Sequence, residues 1–397
     1  MDIMELTKKQ EEGLRIAVNR HRNMEKYTVI AGYAGTGKST LVKFIIDALD
    51  VQKERVCYAT FTGKAAEVLR KKGNENACTL HRLLYDHVPK PGGGFFRKKK
   101  ERIDYDIVVI DEVSMAPKSM MDLLFTHNVY VICLGDPFQI PPINADEDNH
   151  LLDHPHIFLD EIMRQAEDSE IIRLSMDIRE GKPIQNFMGS NVRVLGRNQL
   201  QANMLTWADE VLVATNKTRI TYNNQIRQML GRGPMPEDGD KMVCLRNYWD
   251  DLSEGGDALV NGTIGYLHMP QDKMIEIPFF AHTSVREMLA LNADFVTDDD
   301  DVYPSVDFDK NMILTGKPCL DWRDSYALGK LKPKIGDIVP RQCAYGYAIT
   351  GHKAQGSEWD KVLVVEEDFP FKKDEHAKWL YTCVTRAADK LVLVRNV

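Results

Sequence analysis

No run of apolar residues in this sequence approaches the roughly 20 that a membrane-crossing helix needs. The opening, MDIMELTKKQ, lacks the apolar stretch of a signal peptide. The seven cysteines are scattered, odd in number and contain no C-x-x-C pair. Neither a disulfide framework nor a thiolate zinc site is expected from them. Repeats of solenoid length are absent. Positive charge is also in short supply: 51 Lys and Arg stand against 59 Asp and Glu, a formal net charge of −8. Nucleic-acid-binding proteins usually carry a basic footprint, so this balance weighs mildly against that class. Net charge is a sum, however, and a binding groove is local. These absences lead to an expected cytoplasmic protein with reduced thiols and no membrane partner.

What is present is ordinary globular material. The 397 residues are 43% hydrophobic and 28% charged, enough apolar content to bury cores of two or three domains. In the first half, short apolar runs alternate with helical patterns: Tyr27–Ala31 then Ser39–Leu49, Val56–Ala59 then Lys64–Lys71, then Ile107–Ile110 and Val129–Leu134. The rhythm returns at Glu210–Ala214, Ile220–Leu230, Lys361–Val365, Lys378–Thr385 and Lys390–Val394. Such alternation predicts βαβ units and parallel sheets, hence an α/β fold in two blocks. Two stretches interrupt them. Residues 84–104 hold a Gly-rich turn, Phe95, Phe96 and the basic run Arg97–Arg102. Residues 231–342 are rich in Gly, Pro and Asp with short strand-like pieces, and the acidic segment Asp294–Asp309 reads as a loop.

The segment Gly32-Tyr33-Ala34-Gly35-Thr36-Gly37-Lys38-Ser39 fits G-x-x-x-x-G-K-[ST], after an apolar strand and before a helix. Its glycines let backbone N–H groups close around phosphate oxygens at a helix N-terminus. Lys38 would reach the β- and γ-phosphates, and Ser39 would ligate Mg²⁺. Asp111 and Glu112 end the apolar run Ile107–Ile110, at the strand edge where open α/β sheets bind ligands. Asp111 would hold Mg²⁺, and Glu112 would orient or deprotonate water, which favours hydrolysis over transfer. The bland alternative is a solvated strand end. Gln139, in Gly135-Asp136-Pro137-Phe138-Gln139, is placed to sense the γ-phosphate, although Gly-Asp-Pro is also an ordinary turn.

Taken in order, these residues resemble those of a superfamily 1 helicase, and within it the RecD-like and Dda-like 5′→3′ DNA helicases. The resemblance spans almost the whole chain. Gln10 resembles the glutamine that reads adenine, and Gly35, Thr36, Gly37, Lys38, Ser39 and Thr40 the nucleotide-binding loop. The stretch Ala59–Ala66, with Thr60 and Thr62, is similar to the motif that contacts single-stranded DNA. Thr79-Leu80-His81 resembles the Thr-x-His element after it. GDPFQIPP at 135–142 matches the third motif. Arg164 resembles the first arginine finger. Ile349–Glu358, with Thr350, His352, Gly356 and Glu358, is similar to the fifth motif, and Leu380–Ala387 to the sixth, with Arg386 as second finger. Asn261–Gly265 resembles a turn of the family's SH3-like insertion.

The resemblance implies two RecA-like P-loop NTPase domains with parallel sheets, at 1–185 and 186–397. A small hairpin-like insertion at 84–104 would be a candidate strand-separating pin, and a β-rich SH3-like insertion would fill 231–342. It implies an ATP-dependent, Mg²⁺-dependent helicase moving 5′ to 3′ on single-stranded DNA and opening duplex junctions. Replication or recombination proteins, including single-strand-binding proteins, would be its partners, and nothing demands an oligomer. Catalysis would rest on Lys38, Asp111, Glu112, Gln139, Arg164 and Arg386. Thr60, Thr62, His81, Thr350 and His352 suit phosphate oxygens, which carry no sequence information. Phe95 or Phe96 could stack on a base.

Blander readings stand beside these. Thr7-Lys8-Lys9-Gln10 is also a capping box. Either arginine could form a surface ion pair, either histidine could be structural, and 84–104 could be a solvated loop. Two other functions compete: a DNA-stimulated accessory ATPase of a recombination or nuclease complex, and a P-loop phosphotransferase. The charge has a location too. Asp294–Asp309 holds seven Asp and no Lys or Arg, so the remaining chain sums to about −1 and leaves room for a local basic groove.

Overall fold

The computed structural model describes residues 6–89, 95–141, 148–163, 168–278, 285–298, 300–335, 338–367 and 373–396. By contacts the chain forms two compact units: residues 1–85, 99–214 and 350–397 make one, and residues 86–98 and 215–349 the other. Both parallel sheets, apart from the start of one edge strand, fall in the first unit.

The first sheet begins with β1 (Tyr27–Gly32), β2 (Val56–Thr60) and β3 (Cys78–Thr79). After the paired strands β4 (Tyr85–Pro89) and β5 (Phe95–Lys99), it continues with β6 (Ile107–Ile110), β7 (Tyr130–Gly135) and β8 (Ile157–Leu159). Its order is β3-β2-β6-β7-β1-β8, and every pairing is parallel. Parallel sheets bury both faces, which is why these strands read as unbroken apolar runs. Val108 and Ile110 pack on one face with Leu80, Leu84 and Met121. Ile107 and Val109 pack on the other with Leu41, Val42 and Ile45 of the helix Lys38–Ala48.

The second sheet draws on β9 (Phe187–Met188), β10 (Val192–Gly196) and β11 (Glu210–Val213). Between β11 and its later strands lie β12 (Lys241–Cys244), β13 (Tyr248–Leu252), β14 (Ala258–Leu259), β15 (Ile264–Glu276), β16 (Glu287–Thr297), β17 (Val302–Asp309) and β18 (Cys343–Tyr345). The chain then returns with β19 (Ala348–Thr350), β20 (Trp359–Val365) and β21 (Ala387–Arg395). The order is β19-β11-β20-β21-β10-β9, with β11, β20, β21 and β10 parallel and β9 antiparallel at the edge. Two largely parallel sheets flanked by helices fit a RecA-like fold. The intervening strands form an antiparallel sheet, β17-β16-β15-β12-β18, within the second unit.

One expectation is overturned. The acidic segment Asp294–Asp309 is not a loop but most of the hairpin β16–β17. Apolar residues alternate through it: Phe295 and Phe308 are fully buried and Tyr303 nearly so. Asp294, Asp307 and Asp309, on the strands themselves, serve the fold. Asp294 accepts from the Ser305 N–H at 2.7 Å, and Asp307 pairs with Lys273 at 2.6 Å. Asp309 caps the helix Lys310–Thr315 through the Met312 N–H. Composition signalled a loop; the two-residue period was the better guide. Among the described residues no helix is long and apolar enough to cross a membrane.

Candidate functional site

The strand β1 ends in the glycine-rich loop, which turns into the helix Lys38–Ala48. Gly37 is its N-cap in the left-handed region, at φ 77°. A Cβ there would lie 2.2 Å from Met163 Sδ and 2.5 Å from Gln10 Nε2, so glycine is required by both backbone and space. Gly35 shares the left-handed conformation. Thr36 is buried and donates its hydroxyl to the Tyr33 carbonyl at 2.8 Å. Lys38 Nζ donates to the Gly32 and Tyr33 carbonyls at 2.7 and 3.0 Å, lying across the loop's mouth.

Gln10 is buried behind this loop. Its Nε2 donates to the Thr36 carbonyl at 3.3 Å, and its Oε1 accepts from the Thr7 N–H at 3.0 Å. The capping box is therefore formed, and the same amide also braces the phosphate loop.

A cleft of about 300 Å³ opens in front of the loop. Lys38, Ser39, Asp111, Glu112, Gln139, Gly356, Glu358 and Arg386 line it, together with Thr60. Thr40 lies one position deeper in the helix and is outside that lining. Burial pushes the Asp111 carboxyl up to about 6, with the neighbouring Glu112 charge adding to the effect and Lys38 opposing it. Glu112 sits at φ 52°, ψ 52°, a left-handed conformation uncommon outside glycine and typical of strained functional turns. Gln139 Nε2 donates to Glu112 Oε1 at 3.1 Å. Arg386, between the helix Lys373–Val384 and β21, extends one guanidinium nitrogen to 3.5 Å from the same Glu112 oxygen. Its other bonds, to Thr382 and Ser357 carbonyls, fix the fork.

The hydroxyl of Ser39 and the carboxylate of Asp111 are hard oxygen donors that both line the cleft, a chemistry that fits Mg²⁺. The glycine loop and Lys38 fit a polyphosphate.

Some expected residues are placed differently. Thr60 is buried and donates its hydroxyl to the Thr62 carbonyl at 2.9 Å. Thr62 accepts from the Ala65 N–H at 3.2 Å as the N-cap of the helix Gly63–Lys71. Both hydroxyls thus help to shape the turn. His81 is buried and stacked on Tyr85, with ring centroids 5.8 Å apart. Thr350 is buried as well, and burial lowers the pKa of His352. Glu358 pairs with Lys72 at 2.7 Å. Arg164 lies outside the described residues; Met163 just before it donates its N–H to the Gly35 carbonyl at 3.0 Å. The side chains of Phe95 and Phe96 also lie outside the described residues.

Sequence reasoning missed Tyr381. Its buried hydroxyl donates to Asp136 Oδ2 at 2.6 Å and accepts from the Ala34 N–H at 2.8 Å, tying the phosphate loop to the 135–142 motif. Thr382 and Gln355 reinforce that link by bonding the backbone of Ile140 at 3.0 and 2.6 Å. The available signal was their membership of the fifth- and sixth-motif stretches.

A phosphate loop at the end of one strand, a carboxylate pair at the end of another and an arginine from the second sheet define a P-loop nucleotide-binding protein. Comparison with known proteins narrows this. Residues 5–198 match the AAA domain family and residues 345–394 match the UvrD-like helicase C-terminal domain. The ATP-dependent RecD2 DNA helicase of Deinococcus radiodurans is 27% identical over 92% of this chain and 46% of its own length. The ATP-dependent DNA helicase dda of Enterobacteria phage T4 is 27% identical over 46% of this chain and 44% of its own length. The Pif1 helicase of Bacteroides, in complex with ADP-AlF3 and single-stranded DNA, superposes with a TM-score of 0.49 at 17% identity, covering 99% of this chain and 93% of that one. The chain spans less than half the length of its RecD2 relative. The chain is thus similar to RecD-like and Dda-like helicases of superfamily 1, the resemblance its motifs carried.

Proposed function

We propose that this chain is an ATP-dependent DNA helicase that moves along single-stranded DNA, 5′ to 3′, and separates duplex. The observation that carries this reading is the approach of Arg386, from the second sheet, to Glu112 in the cleft of the first. A cation delivered from a second sheet suits a cycle in which hydrolysis and movement are coupled.

Phosphoryl transfer depends on positioning and charge stabilisation. The loop N–H groups and Lys38 would hold the β- and γ-phosphates. Ser39 and Asp111 would hold Mg²⁺, which supplies neutralising charge on those phosphates. Glu112 would take the proton of the attacking water, and Gln139 would keep its carboxylate aimed. The planar fork of Arg386 suits the charge that builds on the γ-phosphate, with Arg164 as the second cation. Gln10 would read adenine, and Gly356 and Glu358 would complete the nucleotide site.

For the track, His81, Thr350 and His352 would flank the strand behind the turn that Thr60 and Thr62 shape. The motor domains would be residues 1–185 and 186–397. The β4–β5 pair supports a pin at 84–104, with Phe95 or Phe96 as wedge, and the antiparallel sheet supports an SH3-like insertion at 231–342. Single-strand-binding, replication or recombination proteins would be partners of a monomer acting in the cytoplasm.

Two measurements test this. ATP hydrolysis should rise with single-stranded DNA and vanish in Lys38→Ala; DNA-stimulated turnover surviving in that variant would falsify the cradle assignment. Strand displacement should require a 5′ tail. Stimulation without unwinding would favour an accessory ATPase, and no stimulation a phosphotransferase. Alanine at both Phe95 and Phe96 should depress unwinding and spare hydrolysis.

A further inference from the structure

The helix Trp322–Ile335, in the second unit, has an inner face that is fully employed. Leu328 is buried in a cluster with Ile275, Ile277, Met288 and Leu320, and Leu331 packs against it. Its outer face is unusual. Trp322 is 73% exposed and Tyr326 is 62% exposed. Large rings are costly to leave in water, and these add nothing to the core.

Their spacing is regular. Trp322, Tyr326 and Lys330 stand four residues apart, so they form one stripe along the helix. Each ring has a cation beside it. The Arg323 guanidinium lies 5.4 Å from the Trp322 ring centre and the Lys330 ammonium 4.4 Å from that of Tyr326. Neither cation has an ion pair among the described residues, and both are exposed. The helix carries four Lys and Arg against one Asp, Asp324, which is buried.

Alternating exposed rings and cations match one chemistry well. A single-stranded nucleic acid offers a π-face on every base and a phosphate between bases. The rings are separated along the helix by about 6 Å of rise. Bases in duplex DNA are about 3.4 Å apart and present no free faces. The spacing therefore suits an unstacked strand.

We propose that the outer face of Trp322–Ile335 is a binding surface for single-stranded nucleic acid, with Trp322 and Tyr326 stacking on bases and Arg323 and Lys330 holding phosphates. It goes beyond the motif-borne track and rests on the reading of this chain as a DNA-binding motor.

The test uses the full chain and fluorescein-labelled oligo(dT), read by anisotropy without nucleotide. Replacing both Trp322 and Tyr326 with Ala should weaken binding about tenfold or more, while Phe at both positions should restore most of it. Oligo(dT) should quench tryptophan emission in the wild type, and Trp322→Phe should remove that part of the quench. Melting curves by circular dichroism would verify that each variant is folded. If the wild type binds oligo(dT) and the double-Ala variant binds equally well, this surface is excluded and the helicase reading stands. If the double-Ala variant keeps its affinity for oligo(dT) but loses binding of fluorescein-labelled poly-Glu that the wild type shows, the face is a dock for acidic peptide and the proposal fails. If the wild type does not bind oligo(dT) at all, the helicase reading fails with it.

Discussion

Replacing Tyr381 with Phe removes one oxygen and leaves the ring. The ring's edge-to-face contact with Phe138, at 5.2 Å between centroids, survives the change, so packing is conserved. What is lost is a bond to the Asp136 carboxylate at 2.6 Å and the acceptor of the Ala34 N–H at 2.8 Å. A hydrogen bond to a charged group contributes about 1.5–3 kcal/mol, and a stranded buried donor costs about 1–3 kcal/mol. Asp136 keeps a second donor, the Phe138 N–H at 2.9 Å, which moderates its loss. The expected destabilisation is about 2–4 kcal/mol. At roughly 2–4 °C per kcal/mol for a unit of this size, the melting midpoint should fall by at least about 4 °C. Thermal unfolding followed by circular dichroism reads this directly. Because the same oxygen joins the phosphate loop to the 135–142 motif, kcat for ATP should fall as well. A midpoint within about 1 °C of wild type, with unchanged kcat, would refute the bridge.

Arg386→Ala should lower the DNA-stimulated kcat by about 10³-fold or more, with Arg386→Lys only partly restoring it because the planar fork is lost; steady-state hydrolysis at saturating ATP measures this. Gly37→Ala should disrupt nucleotide binding, since the added Cβ meets Met163 and Gln10 at a left-handed φ costing about 1–3 kcal/mol; titration with a fluorescent ADP analogue is the readout. Glu170 accepts from the Ser190, Asn191 and Val192 N–H groups, which hold its carboxyl down at about 2. A depressed carboxyl contributes stability above its unfolded pKa, near 4.5, and loses it as pH falls toward 2. The melting-point gap between wild type and Glu170→Gln should therefore be widest above that value and close as the solution is acidified; a gap that grows with acid would contradict it.

Much of the site was legible in the sequence because its parts are local. The phosphate loop needs glycine at a left-handed turn, an apolar strand before it and a helix after it, all contiguous in Tyr27–Ala48. The carboxylates Asp111 and Glu112 announce themselves by ending an apolar run. Strands β1, β2, β6, β7, β11, β20 and β21 were readable because burial on two faces leaves apolar runs, whereas β3, β8, β9, β10 and β19, short or at a sheet edge or broken by Arg193, were not legible. The acidic hairpin was misread because seven Asp outweighed the alternation visible in Leu291, Ala293 and Phe295 and again in Val306 and Phe308.

The sequence by itself determined which residues could cradle phosphate and which strands would be buried, since both follow from short-range spacing and side-chain type. Only the tertiary structure decided which partners the Thr60 and Thr62 hydroxyls take, because hydrogen-bond partners are set by folding. It also decided that Arg386 and Tyr381 reach Glu112, Asp136 and Ala34 across more than two hundred residues of chain. Pairings at that separation depend on how two sheets pack, and no local pattern encodes them.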